Sequence, residues 1–597
     1  MPRLKEQPQT QAQTSSLTRT ELLSLGGVLL VTLLTYASTF TFGWVYDDPP
    51  QIPQNQNLEW NRLGFLFTHQ LWASMAGTQS RFYRPLLTLW FLVNKTIFGL
   101  NPHWFHVTTV LAHIAAAALA FFVARSLLKD AAAALFATAI FALHPLQVES
   151  AAWISSVNDP LAASFCFASF LSYRRALTRQ CNAAVWWALA GILFLLALFT
   201  KEVSVVLPGI ILIDLRANDL WSSALWSNSL SSNSRSQSSR SASGKLLVPV
   251  ISTYVAVTVL WFGLRSWVLG DAAATASPVP LSDSLLSAPK ILLCNLYRVM
   301  LPIGLSPHYD FHLVESVASG QFLVSLLTLI ALAALAFAVT KRDPKLWVAF
   351  AWLLLPMIPT LNLRWMNEDD FVHDRYMYMS MLGVAMLAGS AYGWIRNKWP
   401  EQQLVRPLAA SLALILAFAS ATQSQYWAND VILFSRAVNR APQSEWAQLN
   451  YGSALSDRGK FAEAAPHFVL SYQLKPGWRA ADFAGFAYQQ SGDLDQGEQW
   501  FKAALQFDPA LANAWFGLAQ IRLSQHLPQE AIPYLKKALE LEPAADGFHY
   551  EMGVALEQIS QPSGAIEEYK TELQLHPYQT GARKALDRLQ TGRLSNQ

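Results

Sequence analysis

Charge is what this sequence has least of. Asp, Glu, Lys and Arg make up 14% of its 597 residues, against 52% hydrophobic ones. A soluble domain carries roughly a quarter charged residues, so a water-soluble globule is excluded and the apolar surface calls for lipid. The net charge of +3 is too small for bulk nucleic-acid binding, and no nucleic-acid partner is expected. Cysteine is scarce as well: Cys166, Cys181 and Cys294 stand far apart, which offers neither a disulfide framework nor zinc-ligand spacing. The polar stretch 1–20 lacks a cleavable-signal pattern, and the apolar run after it has no small-residue cleavage site, so that run reads as a retained helix.

What the chain has is long apolar runs. Eleven spans are expected, at roughly 21–43, 104–128, 131–148, 158–175, 184–200, 202–217, 246–266, 319–340, 345–362, 375–395 and 404–423. Lys129, "YRRALTRQ" (173–180), "SRSQSSRSASGK" (234–245), "KRDPK" (341–345) and "IRNK" (395–398) fall in alternate connections. By the positive-inside rule these face the cytoplasm, together with the tail 1–20 that carries Arg3, Lys5 and Arg19. The Ser-rich 227–243 segment reads as a flexible linker. Two charged apolar pieces, 81–99 and 289–304, read as amphipathic helices lying in the interface. The fold class is all-α: a polytopic membrane bundle over 21–425, a connector 426–441, then a second domain.

That second domain, 442–590, is announced by a repeat. Pro442, Pro476, Pro509, Pro543 and Pro577 recur at intervals of 34, 33, 34 and 34. Small residues recur between them, at Gly452, Gly485, Ala519 and Gly553 and again at Ala464, Gly497, Ala531 and Ala565. A large residue follows four positions later, at Phe468, Phe501, Leu535 and Tyr569. This is the period and packing pattern of the tetratricopeptide repeat. Four units stack into an α-solenoid with a concave face, expected on the external side, where protein binding is the ordinary use.

Ionisable groups near a bilayer core cost a few kcal/mol and need a reason. The charge-based topology gathers them on the external face: Asp47 and Asp48 after the first span, His144, Glu149, Asn158 and Asp159 around the third and fourth, Lys201 and Glu202 between the fifth and sixth, His308, Asp310 and His312, and 368–375 with His373, Asp374 and Arg375. Adjacent carboxylates suit general-base chemistry, because one charge raises the pKa of its neighbour. A cation on the same face, Arg375 or Lys201, suits a lipid-phosphate leaving group.

At these residues the chain resembles the GT-C glycosyltransferase superfamily, and more closely the transmembrane-and-tetratricopeptide-repeat O-mannosyltransferases and their bacterial relatives. The matching stretches are "VYDDPPQI" (45–52), "YRPLLTLWFLVNKTIFGLNPHWFHVTTVLAH" (83–113), "HPLQVESAAWISSVNDPLA" (144–162), "KEVSVVLPGIILIDL" (201–215), "YRVMLPIGLSPHYDF" (297–311) and "HDRYMYMSMLGVAML" (373–387). The resemblance implies inverting transfer of one sugar, mannose or another hexose, from a polyprenyl-phosphate carrier to a protein hydroxyl. It implies Asp47 or Asp48 as base, Arg375 and Lys201 on the carrier phosphate, and His144 and Glu149 shaping the pocket. Asp159, Glu202, His308, Asp310 and His373 are further pocket candidates. Segment 81–99 would guide the lipid tail, and the repeats would present the acceptor polypeptide. Where the family pattern has an arginine and an acid, this chain has Asn158 and Asp159. No metal and no cofactor beyond the donor are expected. Short loops favour a bacterial inner membrane with periplasmic repeats, over an endoplasmic reticulum membrane with lumenal ones.

The alternative is a non-catalytic membrane-anchored scaffold. An anchor needs one span rather than eleven, and has no use for clustered external charge. A transporter would place charges at mid-span and show repeated halves.

Overall fold

The computed structural model describes residues 17–73, 80–178, 182–217, 236–270, 279–366, 371–400 and 403–594. Helices dominate, and no strand occurs among the described residues. In hydrocarbon every backbone N–H and C=O needs an internal partner, which a helix supplies within one segment. The chain divides into two units: residues 1–307 with 311–429, and residues 308–310 with 430–597.

In the first unit helices occupy all eleven expected stretches. Among the described residues six are long and apolar enough to cross a membrane, Arg19–Thr41, Pro102–Leu128, Ala183–Thr200, Val248–Leu269, Gly320–Thr340 and Val405–Trp427, and a seventh follows if the pair Ala131–Leu143 and Pro145–Ala152, bent by 53°, is one span. The others are shorter or more polar. Segment 202–217 opens as a 3-10 turn and becomes helical at Leu207–Ala217, while Leu346–Leu361 is an apolar helix with 3-10 turns at its end. The two segments expected in the interface form the helices Pro85–Phe98 and Leu281–Met300. Of the expected Ser-rich linker, 227–235 lies outside the described residues, and helix begins at Ser236.

Small residues set the spacing of the bundle. Ala116, Ala117, Ala120 and Ala124 are buried with Ala134 and Ala137 from the next helix, and such positions let helix backbones approach closely. At Gly383 a Cβ would lie 2.3 Å from the Leu353 backbone nitrogen, so only glycine fits that crossing. Phe121, Phe141, Phe167, Trp352 and Tyr378 fill the remaining volume.

Ion pairs tie the basic connections into one end. Arg125 pairs with Glu21 at 2.8 Å, Arg174 with Asp214 at 2.6 Å and Arg396 with Asp130 at 2.5 Å. Lys129, Asp130, Arg342, Lys345, Trp394 and Asn397 line one cavity at that end. At the opposite helix ends, residues near 47, 84, 155, 202, 265, 360 and 375 line a common cleft. The last helix of the unit also finishes there, with Trp427 stacked on Trp153 at 5.4 Å between centroids.

The second unit is the expected solenoid. Four helix pairs, Glu445–Ser456 with Phe461–Leu474, Trp478–Ser491 with Leu494–Phe507, Ala512–Ser524 with Pro528–Leu541, and Phe548–Gln558 with Pro562–Leu575, are followed by the helix Thr580–Leu594. The helix Asp430–Arg440, within the stretch expected as a connector, belongs to this unit. Each recurring proline stands two residues beyond a helix end, as at Leu474 and Pro476, where it cannot continue the helix. The small-to-large rule holds in detail: a Cβ on Gly485 would meet the Phe501 ring at 2.7 Å.

Candidate active site

The aspartate pair follows a tight turn. Tyr46 takes a positive φ of 57°, and a short helix, Asp48–Gln51, starts at once with Pro49 and Pro50 in its first turn. A proline is tolerated there because those N–H groups have no intrahelical partner. The turn sends the two carboxylates in different directions. Asp47 lines a cleft of about 160 Å³, open at its mouth. Asp48 is fully buried. Its Oδ1 accepts from the Ser155 backbone N–H at 2.8 Å and the Ser155 hydroxyl at 2.5 Å, and its Oδ2 accepts from the Val45 N–H at 3.1 Å. Burial pushes the Asp48 carboxyl up to about 7; the Ser155 and Val45 donors oppose this, and the nearby Asp47 charge adds a little. Asp48 thus fastens the turn to the 153–157 loop, and Asp47 is the carboxylate that a ligand can reach.

Five basic side chains line the same cleft: Arg81, Arg84, Lys201, Arg265 and Arg375. Each is held by a partner from a distant part of the chain. The Arg375 guanidinium lies 2.5 Å from Glu149 Oε1, and the Arg375 backbone N–H donates to Glu149 Oε2 at 3.0 Å. Its planar head also lies over Trp153, 5.2 Å from the ring centroid. Lys201 donates to Asp159 Oδ1 at 2.6 Å, and Asp159 accepts from the Ser150 and Ser156 hydroxyls with its other oxygen. Burial lowers the Lys201 pKa, and Asp159 works against that shift. Arg84 grips Glu202 through Nε at 2.9 Å and Nη2 at 2.8 Å. Arg265 donates to the Arg81 carbonyl at 2.9 Å, and Arg81 to the Arg364 carbonyl.

Of the residues expected from sequence, Asp47, Lys201, Glu202 and Arg375 line the cleft, as does Asn158. Asp48, Glu149 and Asp159 stand behind them as hydrogen-bonding supports. His373 is buried 3.8 Å from Glu149, its Nδ1 3.2 Å from the Pro307 carbonyl. His144 is not brought to the cleft: its Nδ1 accepts from the Leu146 N–H and its Nε2 faces the Val299 carbonyl at 3.0 Å, so it caps the bend after Leu143. His308 and Asp310 belong to the second unit, where His308 bonds the Ser444 hydroxyl at 2.8 Å and stacks on Trp446. Residues 368–370 lie outside the described residues. Arg81, Arg84 and Arg265 are cleft residues that the sequence reading missed. The available signal was Arg265 itself, a charge inside an apolar helix, which is by default a functional candidate.

The cleft sets the half-exposed Asp47 carboxylate, beside a Glu202 already paired with Arg84, against a cationic wall. That arrangement can take a proton at Asp47 while holding an anionic group, a phosphate above all, against the arginines.

Known proteins carry related sequences. Protein O-mannosyl-transferase TMTC3 of Mus musculus is 24% identical over 92% of this chain and 63% of its own length. Protein O-mannosyl-transferase TMTC1 of Homo sapiens is 24% identical over 72% of this chain and 52% of its own. The chain is TMTC-like. Protein O-mannosyl-transferase Tmtc1 of Drosophila melanogaster is 32% identical over a shorter stretch, 32% of this chain and 23% of that protein. The TMTC-like chain thus spans about half to two thirds of the length of the curated relatives first matched. The tetratricopeptide repeat family matches residues 480–511 and 512–544, the second and third helix pairs of the solenoid. A solved structure titled "Crystal structure of MamA" covers 25% of the chain and 88% of its own at 16% identity, with a TM-score of 0.24, too low to carry an argument. The apolar helices and the TMTC relatives together make this a membrane protein.

Proposed function

We propose that the chain is an inverting membrane glycosyltransferase that moves a hexose from a polyprenyl-phosphate carrier to a hydroxyl of a protein. Mannose is the first candidate sugar, because the relatives are named O-mannosyl-transferases. The observation that carries the reading is the cleft: the accessible carboxylate of Asp47 facing Arg81, Arg84, Lys201, Arg265 and Arg375.

The chemistry follows from that wall. Asp47 accepts the proton of an acceptor Ser or Thr hydroxyl as its oxygen bonds to the sugar C1. The bond from C1 to the phosphate oxygen breaks, and the electron pair leaves with the phosphate. Negative charge grows on that oxygen, and the arginines neutralise it where it grows, which lowers the barrier. Attack opposite the leaving group inverts C1. Asp48 keeps the base in place, Glu149 aims Arg375, and Asp159 positions Lys201. The repeats hold the acceptor polypeptide, since a concave helical groove suits an extended chain. We place the chain in a bacterial inner membrane with the repeats in the periplasm; the exit of the last helix at the cleft end supports a shared compartment.

The test is direct. Asp47→Asn protein in lipid nanodiscs, with polyprenyl-phosphate mannose and a Ser/Thr peptide bound by the repeats, is expected to lose about 10²- to 10⁴-fold in rate, the usual worth of a general base. Transfer by this variant at the wild-type rate removes Asp47 from the mechanism.

A further inference from the structure

Three buried polar atoms in the cleft wall have no hydrogen-bond partner among the described residues: Gln51 Oε1, Trp153 Nε1 and Asn158 Oδ1. Their residues are 7%, 3% and 5% exposed, and all three line the same cleft. A buried polar group left unpaired forfeits the hydrogen bonds it had in water, so native proteins pair nearly all of them. Three around one cleft mark a surface whose partner is a ligand.

The chemistry of these atoms narrows the ligand. The arginines supply donors for an anion. The two carboxamide oxygens are acceptors, so what meets them must donate; the indole N–H is a donor, so what meets it must accept. A hydroxyl does both. Position agrees. The Gln51 backbone N–H donates to the Asp47 carbonyl at 3.2 Å, which fixes Gln51 one helical turn beyond the base. Asn158 directly precedes Asp159, which holds Lys201, and so is fixed to the cationic wall. A sugar undergoing transfer lies between the base and the phosphate, the region these two residues flank.

We propose that Gln51 and Asn158 read the hydroxyls of the carrier-linked hexose and set which hexose the cleft accepts. This inference rests on the glycosyltransferase reading and adds its specificity determinants. Neither carboxamide oxygen has a hydrogen-bond partner to lose among the described residues, so Gln51→Met and Asn158→Leu are expected to melt at or above the wild-type temperature. Asn158→Ala serves as a second variant where the branched side chain disturbs packing.

The experiment uses the full chain in nanodiscs with synthetic polyprenyl-phosphate mannose and its monodeoxy analogues, each lacking one hydroxyl. A site built to bond a hydroxyl rejects the analogue without it, so wild type is expected to disfavour at least one analogue by about tenfold or more in kcat/KM. Each variant should lose discrimination at one hydroxyl and keep it at the others, the pattern of a coupled pair. Variants that transfer sugar and retain the full wild-type pattern overturn this inference and leave the parent reading standing. A wild-type chain that transfers none of the sugars overturns the parent reading, and this inference with it.

Discussion

Ser155 gives both its backbone N–H and its hydroxyl to a single carboxylate oxygen of Asp48, at 2.8 and 2.5 Å. Two adjacent aspartates therefore have separable roles, and isosteric amides separate them. In Asp48→Asn the amide oxygen still accepts from Ser155, but the amide NH₂ faces the Val45 N–H, donor against donor. The expected cost is about 1–3 kcal/mol, read as a lower melting temperature with partial loss of transfer. Asp47→Asn, at a half-exposed position, should lose less stability than Asp48→Asn and more of the rate. Equal melting temperatures for both variants would contradict the division of labour.

Arg375 depends on Glu149 for its aim, since that carboxylate takes both the guanidinium and the backbone N–H of the arginine. Lysine keeps the charge but not the flat fork that lies over Trp153. Arg375→Lys and Glu149→Gln are each expected to raise the donor KM by about tenfold or more. The double variant should be little worse than either single one, because both remove one coupled unit. Additive losses measured in steady-state transfer would mean that the two residues act independently.

Most of the fold was legible because its signals are local. The proline interval of about 34 residues needs no tertiary knowledge, and the small residue at 485 with the phenylalanine at 501 states a packing contact in advance. The alternation of basic connections likewise forecast an end that Glu21–Arg125 and Asp130–Arg396 now tie together. The site was legible only in part. Asp47 and Asp48 are equivalent on paper, and the positive φ at Tyr46 that parts them leaves no mark in composition. Arg84 lies 118 residues from Glu202, and Arg265 lies 184 from the Arg81 carbonyl it bonds. No periodicity reports such a convergence, so these arginines read as ordinary interfacial or helix-end cations. His144 and His308 show the opposite case: both are polar near an external loop, yet His144 accepts from the nearby Leu146 N–H and His308 bonds the distant Ser444 hydroxyl.

A buried acid in the solenoid makes stability depend on pH. Asp482 sits in the helix Trp478–Ser491 with its Oδ1 buried and without a hydrogen-bond partner among the described residues, and burial raises its pKa from 3.8 to about 6. Between those values the folded chain holds a proton that the unfolded chain has released. The stability this group contributes is full below pH 3.8 and is lost as pH rises through about 6. Asn imitates the protonated form at every pH. Asp482→Asn should therefore stabilise the helix at pH 7.5 by about 1 kcal/mol, under the roughly 3 kcal/mol that two pKa units represent without solvent screening. The advantage should vanish below about pH 4. Amide-exchange protection of residues 478–491 in the full chain measures it, and an advantage that grows on acidification would reverse the assignment.

Phe501 is gripped by glycines from two successive repeats. A Cβ on Gly485 would approach its ring to 2.7 Å, and a Cβ on Gly517 to 2.3 Å. The ring is buried with Ala481, Ala514 and Leu518 around it, so it has little room to turn aside. Adding one methyl group in such a place forces side chains off their rotamers and costs typically 1–3 kcal/mol. The gain in helix propensity on replacing glycine by alanine, about 1 kcal/mol, acts in the opposite direction. Gly517→Ala has the closer contact and should be net destabilising by about 1–2 kcal/mol, with Gly485→Ala nearer to neutral. Because a solenoid is held by nearest-neighbour interfaces, the damage should spread to the flanking helices and stop before the membrane unit. Limited proteolysis should then cut Gly517→Ala protein faster within 478–541 while membrane-embedded fragments keep their wild-type pattern. The combination of Gly517→Ala with Phe501→Leu should recover part of the loss, because a smaller side chain makes room for the added methyl group. A double variant weaker than both single ones would show that the ring, rather than the space beside the glycine, is what the interface requires.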